Sequence, residues 1–172
     1  REARGLTILD IGAGYGRLAH RLVSAFPGVG EVLCVDAIPE STFICEYYLR
    51  YRGVDSRARV VEFPDVEEAL GARRIDLAVN IHSFSECTLQ SIAGWLDLLR
   101  AHSVRRLMIV PNSGRSGGTR LLSWEQDGSQ VDFQREIESR GYRLIVHEPK
   151  HPDPTTQKYG VSPTHYFLFE LT

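Results

Sequence analysis

The chain contains no apolar run long enough to cross a membrane, so no membrane partner is expected. It is poor in cysteine. Cys34, Cys45 and Cys87 are an odd, widely spaced set without paired ligand spacing, which speaks against a disulfide framework or a zinc site and for reduced cysteines in a cytoplasmic protein. An excess of either charge is missing too. A net charge of −2, with Arg50, Arg52, Arg57 and Arg59 scattered along the chain, leaves no basic footprint, and nucleic acid is not expected as a partner. Internal repeats and low-complexity tracts are absent, and no segment reads as a signal peptide. What remains is 172 residues, 42% of them hydrophobic: enough for one substantial core and too few for two comfortable domains. A single domain over 1–172 is expected, of undetermined oligomeric state.

One stretch is far more informative than the rest. The apolar run from Leu6 to Ile11 reads as a buried strand. Gly12, Gly14 and Gly16 then open a segment, 17–26, with helical periodicity. Glycines at such spacing suit a sharp turn and a ligand that approaches the main chain too closely for a Cβ. The turn is expected to present N–H groups and the positive end of a helix dipole above the strand. A second apolar strand, 31–35, ends in Asp36, twenty residues after Gly16. In a doubly wound sheet an acid there hydrogen-bonds the hydroxyls of a ribose, so the pair suggests a nucleoside-bearing cofactor.

Downstream, strand and helix patterns alternate. After the strand 31–35 come a helix over 40–52, a strand over 59–63 and a short helix around 66–70. A strand over 75–80, a helix over 89–101 and a strand over 106–110 follow. Beyond an irregular Gly/Ser-rich segment, a helix over 131–140 ends at Gly141, a C-cap glycine. Strands over 142–147 and 165–171 flank a long Pro-containing loop. Phe43, Ile44, Tyr47, Tyr48 and Tyr51 share helical spacing and are read as core. Such alternation predicts an α/β fold: a Rossmann-like, doubly wound, seven-stranded sheet, mostly parallel. The last two strands lack a connecting helix, so the last strand is expected to be antiparallel. Ligands bind such sheets at the carboxyl ends of the strands. That rule selects the glycine loop, 36–38, 64–65, 81–86, 111–128 and 148–164.

The spacing G-x-G-x-G after Asp10 differs from the G-x-G-x-x-G of dinucleotide sites. It resembles the first motif of the class I S-adenosylmethionine-dependent methyltransferases. The stretches LDIGAGYGRLA, EYYLRYRG and DLAVNIHSFSECT together resemble the sugar O-methyltransferase branch of that superfamily, from Ile8 to about Asn112. The resemblance implies S-adenosyl-L-methionine as cofactor and a seven-stranded sheet with its last strand reversed. It implies a cofactor site built from Asp10, Gly12, Ala13, Gly14, Gly16, Asp36, Ala37, Ile38, Asp65, Asn80 and Ile81. In it Ile38 packs on the adenine, and Asp65 either receives the adenine amino group or caps the following helix. Many such enzymes carry upstream helices over the cofactor, so the chain, starting at Arg1, is read as a piece of a longer protein.

Methyl transfer to a hydroxyl is helped by a base, and the segment 80–86 faces the departing methyl group in this family. His82 is the preferred base and Glu86 the reserve. Asn80 does not begin the Asn-Pro-Pro-aromatic motif of methyltransferases acting on DNA bases or glutamine. Asp65, Glu86 and Asp127 are too dispersed for a metal site, so no metal is expected. Trp124 and Glu125 suit stacking on, and hydrogen bonding to, a sugar. His151, Asp153, Lys158 and Tyr159 lie in the second late loop, and His165 is a further candidate base. The expected function is methyl transfer to a hydroxyl of a sugar or similar small molecule. The alternatives are a methyltransferase for another acceptor, a non-catalytic cofactor-binding module of a larger protein, and a nicotinamide-dependent oxidoreductase, which the glycine spacing disfavours.

Overall fold

The computed structural model describes residues 5–114, 116–161 and 163–172. Seven strands, β1 (Leu6–Ile11), β2 (Val29–Val35), β3 (Ala58–Val60), β4 (Leu77–Ile81), β5 (Arg106–Val110), β6 (Tyr142–Pro149) and β7 (His165–Leu171), form a sheet in the order β3-β2-β1-β4-β5-β7-β6. β1, β2 and β3 pair in parallel, and β7 runs antiparallel to both β5 and β6. Helices α1 (Arg17–Ala25), α2 (Pro39–Tyr51), α3 (Val66–Gly71), α4 (Leu89–Ala101) and α5 (Gln134–Ser139) connect them. This is the expected Rossmann-like architecture, last strand included. The chain's contacts group into two units, Arg1–Val79 and Asn80–Thr172.

In the first unit, Ile8, Leu9 and Ile11 of β1 and Val32, Leu33 and Val35 of β2 are all buried, the continuous burial of strands covered on both faces. Their register, Leu9 opposite Leu33 and Ile11 opposite Val35, brings the glycine loop and Asp36 out side by side. Gly16, at φ +83, ends the loop and begins α1. A Cβ there would stand 2.8 Å from the Cys45 sulfur and 3.3 Å from Leu49, so α1 and α2 meet where only glycine fits. α2 rests on the core through Cys45 and Leu49. Of the five residues read as its core face, Phe43, Ile44, Tyr47 and Tyr51 are instead exposed and Tyr48 is half-buried. Helical spacing identified one stripe of α2, but the stripe of Cys45 and Leu49 won the close approach to Gly16. The strand expected over 59–63 stops at Val60, because Phe63-Pro64-Asp65 closes into a single 3₁₀ turn.

In the second unit, Ile92, Leu96 and Leu99 bury one stripe of α4. Phe167 and Phe169 bury one face of β7. The Tyr142 hydroxyl donates to the Val104 carbonyl at 2.6 Å, and burial pushes its pKa up to about 12. The helix expected over 131–140 forms only over α5. Leu122 bridges Asp132, and Phe133 N–H donates to Leu121, which draws the preceding residues into extended pairing. Gly141, at φ +87, does cap α5, its N–H reaching Glu138. β4 extends one residue further than expected, so Ile81 belongs to the strand rather than to the loop after it. The loop between β6 and β7 contains one π turn, Thr156–Gly160.

Candidate functional site

The glycine loop spends its amides on the protein itself. Gly12 and Ala13 N–H both donate to the Val35 carbonyl, at 2.8 and 3.1 Å, and Gly16 N–H donates to Ala13. Gly14 N–H donates to Asp36 Oδ2 at 2.9 Å. The expectation of N–H groups presented to a ligand is therefore corrected at these four positions. Gly12, Gly14 and Gly16 all take positive φ. A Cβ on Gly14 would meet nothing within 4 Å, so the space beside it is open to a ligand.

Asp36 is half-buried, and its second oxygen accepts the Ile38 N–H at 2.9 Å. Two main-chain donors hold the carboxylate in one orientation, and each oxygen keeps a second acceptor position. Asp10, on β1, is 3% exposed and its Oδ2 has no hydrogen-bond partner. Burial, with the nearby Asp36 charge adding to it, raises the Asp10 pKa to about 7. A buried carboxyl with an orphaned oxygen next to a second carboxylate suits a bound group that donates hydrogen bonds or carries positive charge. Ala37 and Ile38 are exposed beyond Asp36. Asp65 holds the N-cap position of α3 without a side-chain cap bond, so its carboxylate is exposed and uncommitted to the helix.

In the second unit, the end of β4 is knotted by Asn80. Its Nδ2 donates to Ser83 Oγ at 2.5 Å and its Oδ1 accepts the Phe84 N–H at 3.0 Å, with the side chain fully buried. These bonds shape the turn, a role the reading of Asn80 as a cofactor contact did not anticipate. His82 follows at φ +73, a conformation unusual for a side chain other than glycine. Ser85 Oγ accepts the Asn112 N–H at 3.1 Å, and Glu86 Oε1 accepts from Asn112 Nδ2 at 3.1 Å.

A cavity of about 360 Å³ opens beside them, lined among others by Ser85, Glu86, Asn112, Arg120, Leu122 and Trp124. Its volume is in the range of small-molecule sites. Of the two candidate bases, Glu86 lines it and His82 does not. Arg120 is paired with Asp132 at 3.2 Å, so among the described lining residues Glu86 is the charge without an ion pair. Trp124 lines the cavity and Glu125 does not. Glu125 Oε1 accepts the Leu89 N–H at the start of α4 at 2.9 Å and the Ser123 hydroxyl at 2.5 Å, which makes it a structural cap. Asn112 and Arg120 were not foreseen; their only signal was a place after β5. His165 Nδ1 lies 3.0 Å from His147 Nε2, and burial lowers the His165 pKa, with His147 adding to the shift. Among the described residues no group of three or more His, Cys, Asp or Glu could hold a metal. No helix among them is long and apolar enough to cross a membrane.

No family profile matches the chain, and no curated protein matches it. Solved structures match its fold over nearly its whole length. The magnesium protoporphyrin IX methyltransferase of Synechocystis, with bound SAM, superposes with a TM-score of 0.64 at 11% identity, over 99% of this chain and 72% of that one. A tRNA methyltransferase of B. subtilis gives 0.62 at 13%, over 99% and 62%. The cyclase SpnF gives 0.63 at 15%, over 98% and 76%. These likenesses establish a Rossmann-like fold that the chain shares with two methyltransferases and a cyclase. The chain spans about two thirds of the length of several structures it matches.

Proposed function

We propose that the chain binds S-adenosyl-L-methionine and transfers its methyl group to a hydroxyl of a sugar or similarly polar small molecule. The observation that carries the cofactor is the glycine loop itself. A dinucleotide's pyrophosphate needs main-chain donors, and here the amides of Gly12, Ala13, Gly14 and Gly16 are already committed. A ligand without phosphate suits such a loop. The buried Asp10 with its orphaned oxygen and the open space beside Gly14 fit a nucleoside cofactor that carries cationic groups. When bound, S-adenosylmethionine supplies a methyl group on a sulfonium centre.

Asp36 would accept the ribose hydroxyls on the lone pairs that Gly14 and Ile38 leave open. Ile38 and Asp65 are proposed for the adenine, and Asn80 and Ile81 for positioning rather than direct bonding. Glu86 is the base in this reading: it lines the cavity, where the one cation among the described lining residues, Arg120, is paired with Asp132, and it takes the proton that the acceptor hydroxyl sheds. Trp124 offers a flat apolar face and Asn112 a polar edge, the pairing a sugar ring needs. The neighbours' acceptors include a tRNA and a porphyrin. This chain's net charge of −2 favours a small molecule over nucleic acid. Calorimetric titration with S-adenosylmethionine, S-adenosylhomocysteine and NAD tests the proposal. Binding of the first two is expected, and binding of NAD alone overturns it.

A further inference from the structure

Four large apolar side chains stand on the outward face of α2. Phe43 is 70% exposed, Ile44 50%, Tyr47 66% and Tyr51 75%. Phe43, Tyr47 and Tyr51 follow one another at four-residue steps and Ile44 lies beside them, so they form one stripe opposite the buried Cys45 and Leu49. Isolated exposed apolar residues are ordinary on a protein surface, but a contiguous aromatic stripe marks an interface. With the areas usual for such side chains, the stripe offers on the order of 500 Å² of apolar surface. The exposed flanks Glu40, Glu46 and Arg50 bring the face towards the roughly 800 Å² that each partner of a specific dimer buries.

The charges around the stripe select the occupant. The acids Glu40 and Glu46 lie towards its N-terminal side, and Arg50 and Arg52 lie towards its C-terminal end. Arg50 and Glu46 already form an exposed ion pair at 2.6 Å within the helix. We infer that a second copy of this chain covers the face, the two α2 helices packing antiparallel about a twofold axis near Tyr47. In that arrangement Phe43 of each protomer lies against Tyr51 of the other. Glu46 of each reaches Arg50 of the other, so the two intrahelical pairs merge into an alternating ring of four charges. Helix dipoles oppose each other, as antiparallel packing favours. A parallel twofold arrangement would put the Glu46–Arg50 edges of the two helices on opposite sides of the seam, where they could not meet. The patch is thus self-complementary in one orientation only, the requirement of an isologous contact.

Sedimentation velocity over micromolar to millimolar protein tests this. The parent is expected to show a reversible monomer–dimer equilibrium. Tyr47→Glu, a change at an exposed position, is expected to weaken it by at least about tenfold, as loss of a central aromatic anchor does. Glu46→Arg alone is expected to weaken the dimer, and the double exchange Glu46→Arg with Arg50→Glu to restore it. The double variant keeps the intrahelical pair, so folding is preserved. A parent that stays monomeric throughout, or a dimer indifferent to Tyr47→Glu, overturns the inference. A double variant that fails to regain the dimer overturns the antiparallel arrangement.

Discussion

The Asp36 carboxylate holds the Gly14 amide at 2.9 Å through one oxygen, and with the other it holds the Ile38 amide at the same distance. Two residues far apart in sequence thereby share one fixed edge: the loop after β1 is shaped by the acid that ends β2. Under the proposed function, cofactor binding and loop geometry are coupled through this single carboxylate.

Replacing Asp36 with Ala is therefore expected to do two things. It removes the proposed ribose acceptor and releases the Gly14 amide, so S-adenosylhomocysteine affinity falls by roughly 1.5–3 kcal/mol per lost charged bond. Gly14→Val is expected to be harsher on binding. The backbone at φ +54 strains any side chain by about 1–3 kcal/mol, and the new methyls fill the open space beside the loop. Calorimetry and thermal melts separate the two effects. If both variants bind like the parent, the loop is not the cofactor site.

Asp10 predicts a pH signature. Its pKa rises from 3.8 to about 7 on folding because burial and Asp36 disfavour the charged form. The folded protein thus holds this proton more tightly than the unfolded chain does. The resulting stability is complete below 3.8 and is lost as pH rises through about 7. Asp10→Asn, which cannot ionise, is expected to melt like the parent in acid and to gain up to about 4 kcal/mol over it in alkali. A difference that stays constant across that range would sink the assignment.

Once a methyl acceptor is identified, Glu86→Gln is expected to lower kcat by about 10²–10⁴, the usual contribution of a positioned base. His82→Ala, away from the cavity wall, is expected to keep turnover within about tenfold of the parent. The reverse pattern would return the proton transfer to His82.

Trp124 and Glu125 are neighbours with separate tasks. Trp124→Ala is expected to raise KM for the acceptor with little change in kcat. Glu125→Ala strips the cap from Leu89 and the partner from Ser123, and is expected to cost about 1–2 kcal/mol in a thermal melt while leaving KM alone. Loss of acceptor affinity in Glu125→Ala would place that carboxylate at the ligand after all.

The β-α-β unit at the start was readable residue by residue, because its signals are local. The apolar run of β1, the alternate glycines and the acid after β2 each follow from what the backbone needs at that position. The helix over 89–101 and the strands over 106–110 and 165–171 were likewise set by their own periodicity and boundaries. Three things lay outside the sequence's reach. Which stripe of α2 is buried depended on Gly16, whose missing side chain admits Cys45, and not on which stripe is more apolar. Glu125 became a cap because the segment before α5 pairs back on itself and sets it against the start of α4. Glu86 rather than His82 reached the cavity because Asn80 folds the residues after β4 into a tight turn. The first two are contacts between residues distant along the chain and the third is a turn held by one polar side chain, and hydrophobic periodicity carries no record of either. Propensity and pattern decide which elements form, but the partner an element packs against decides what each side chain faces.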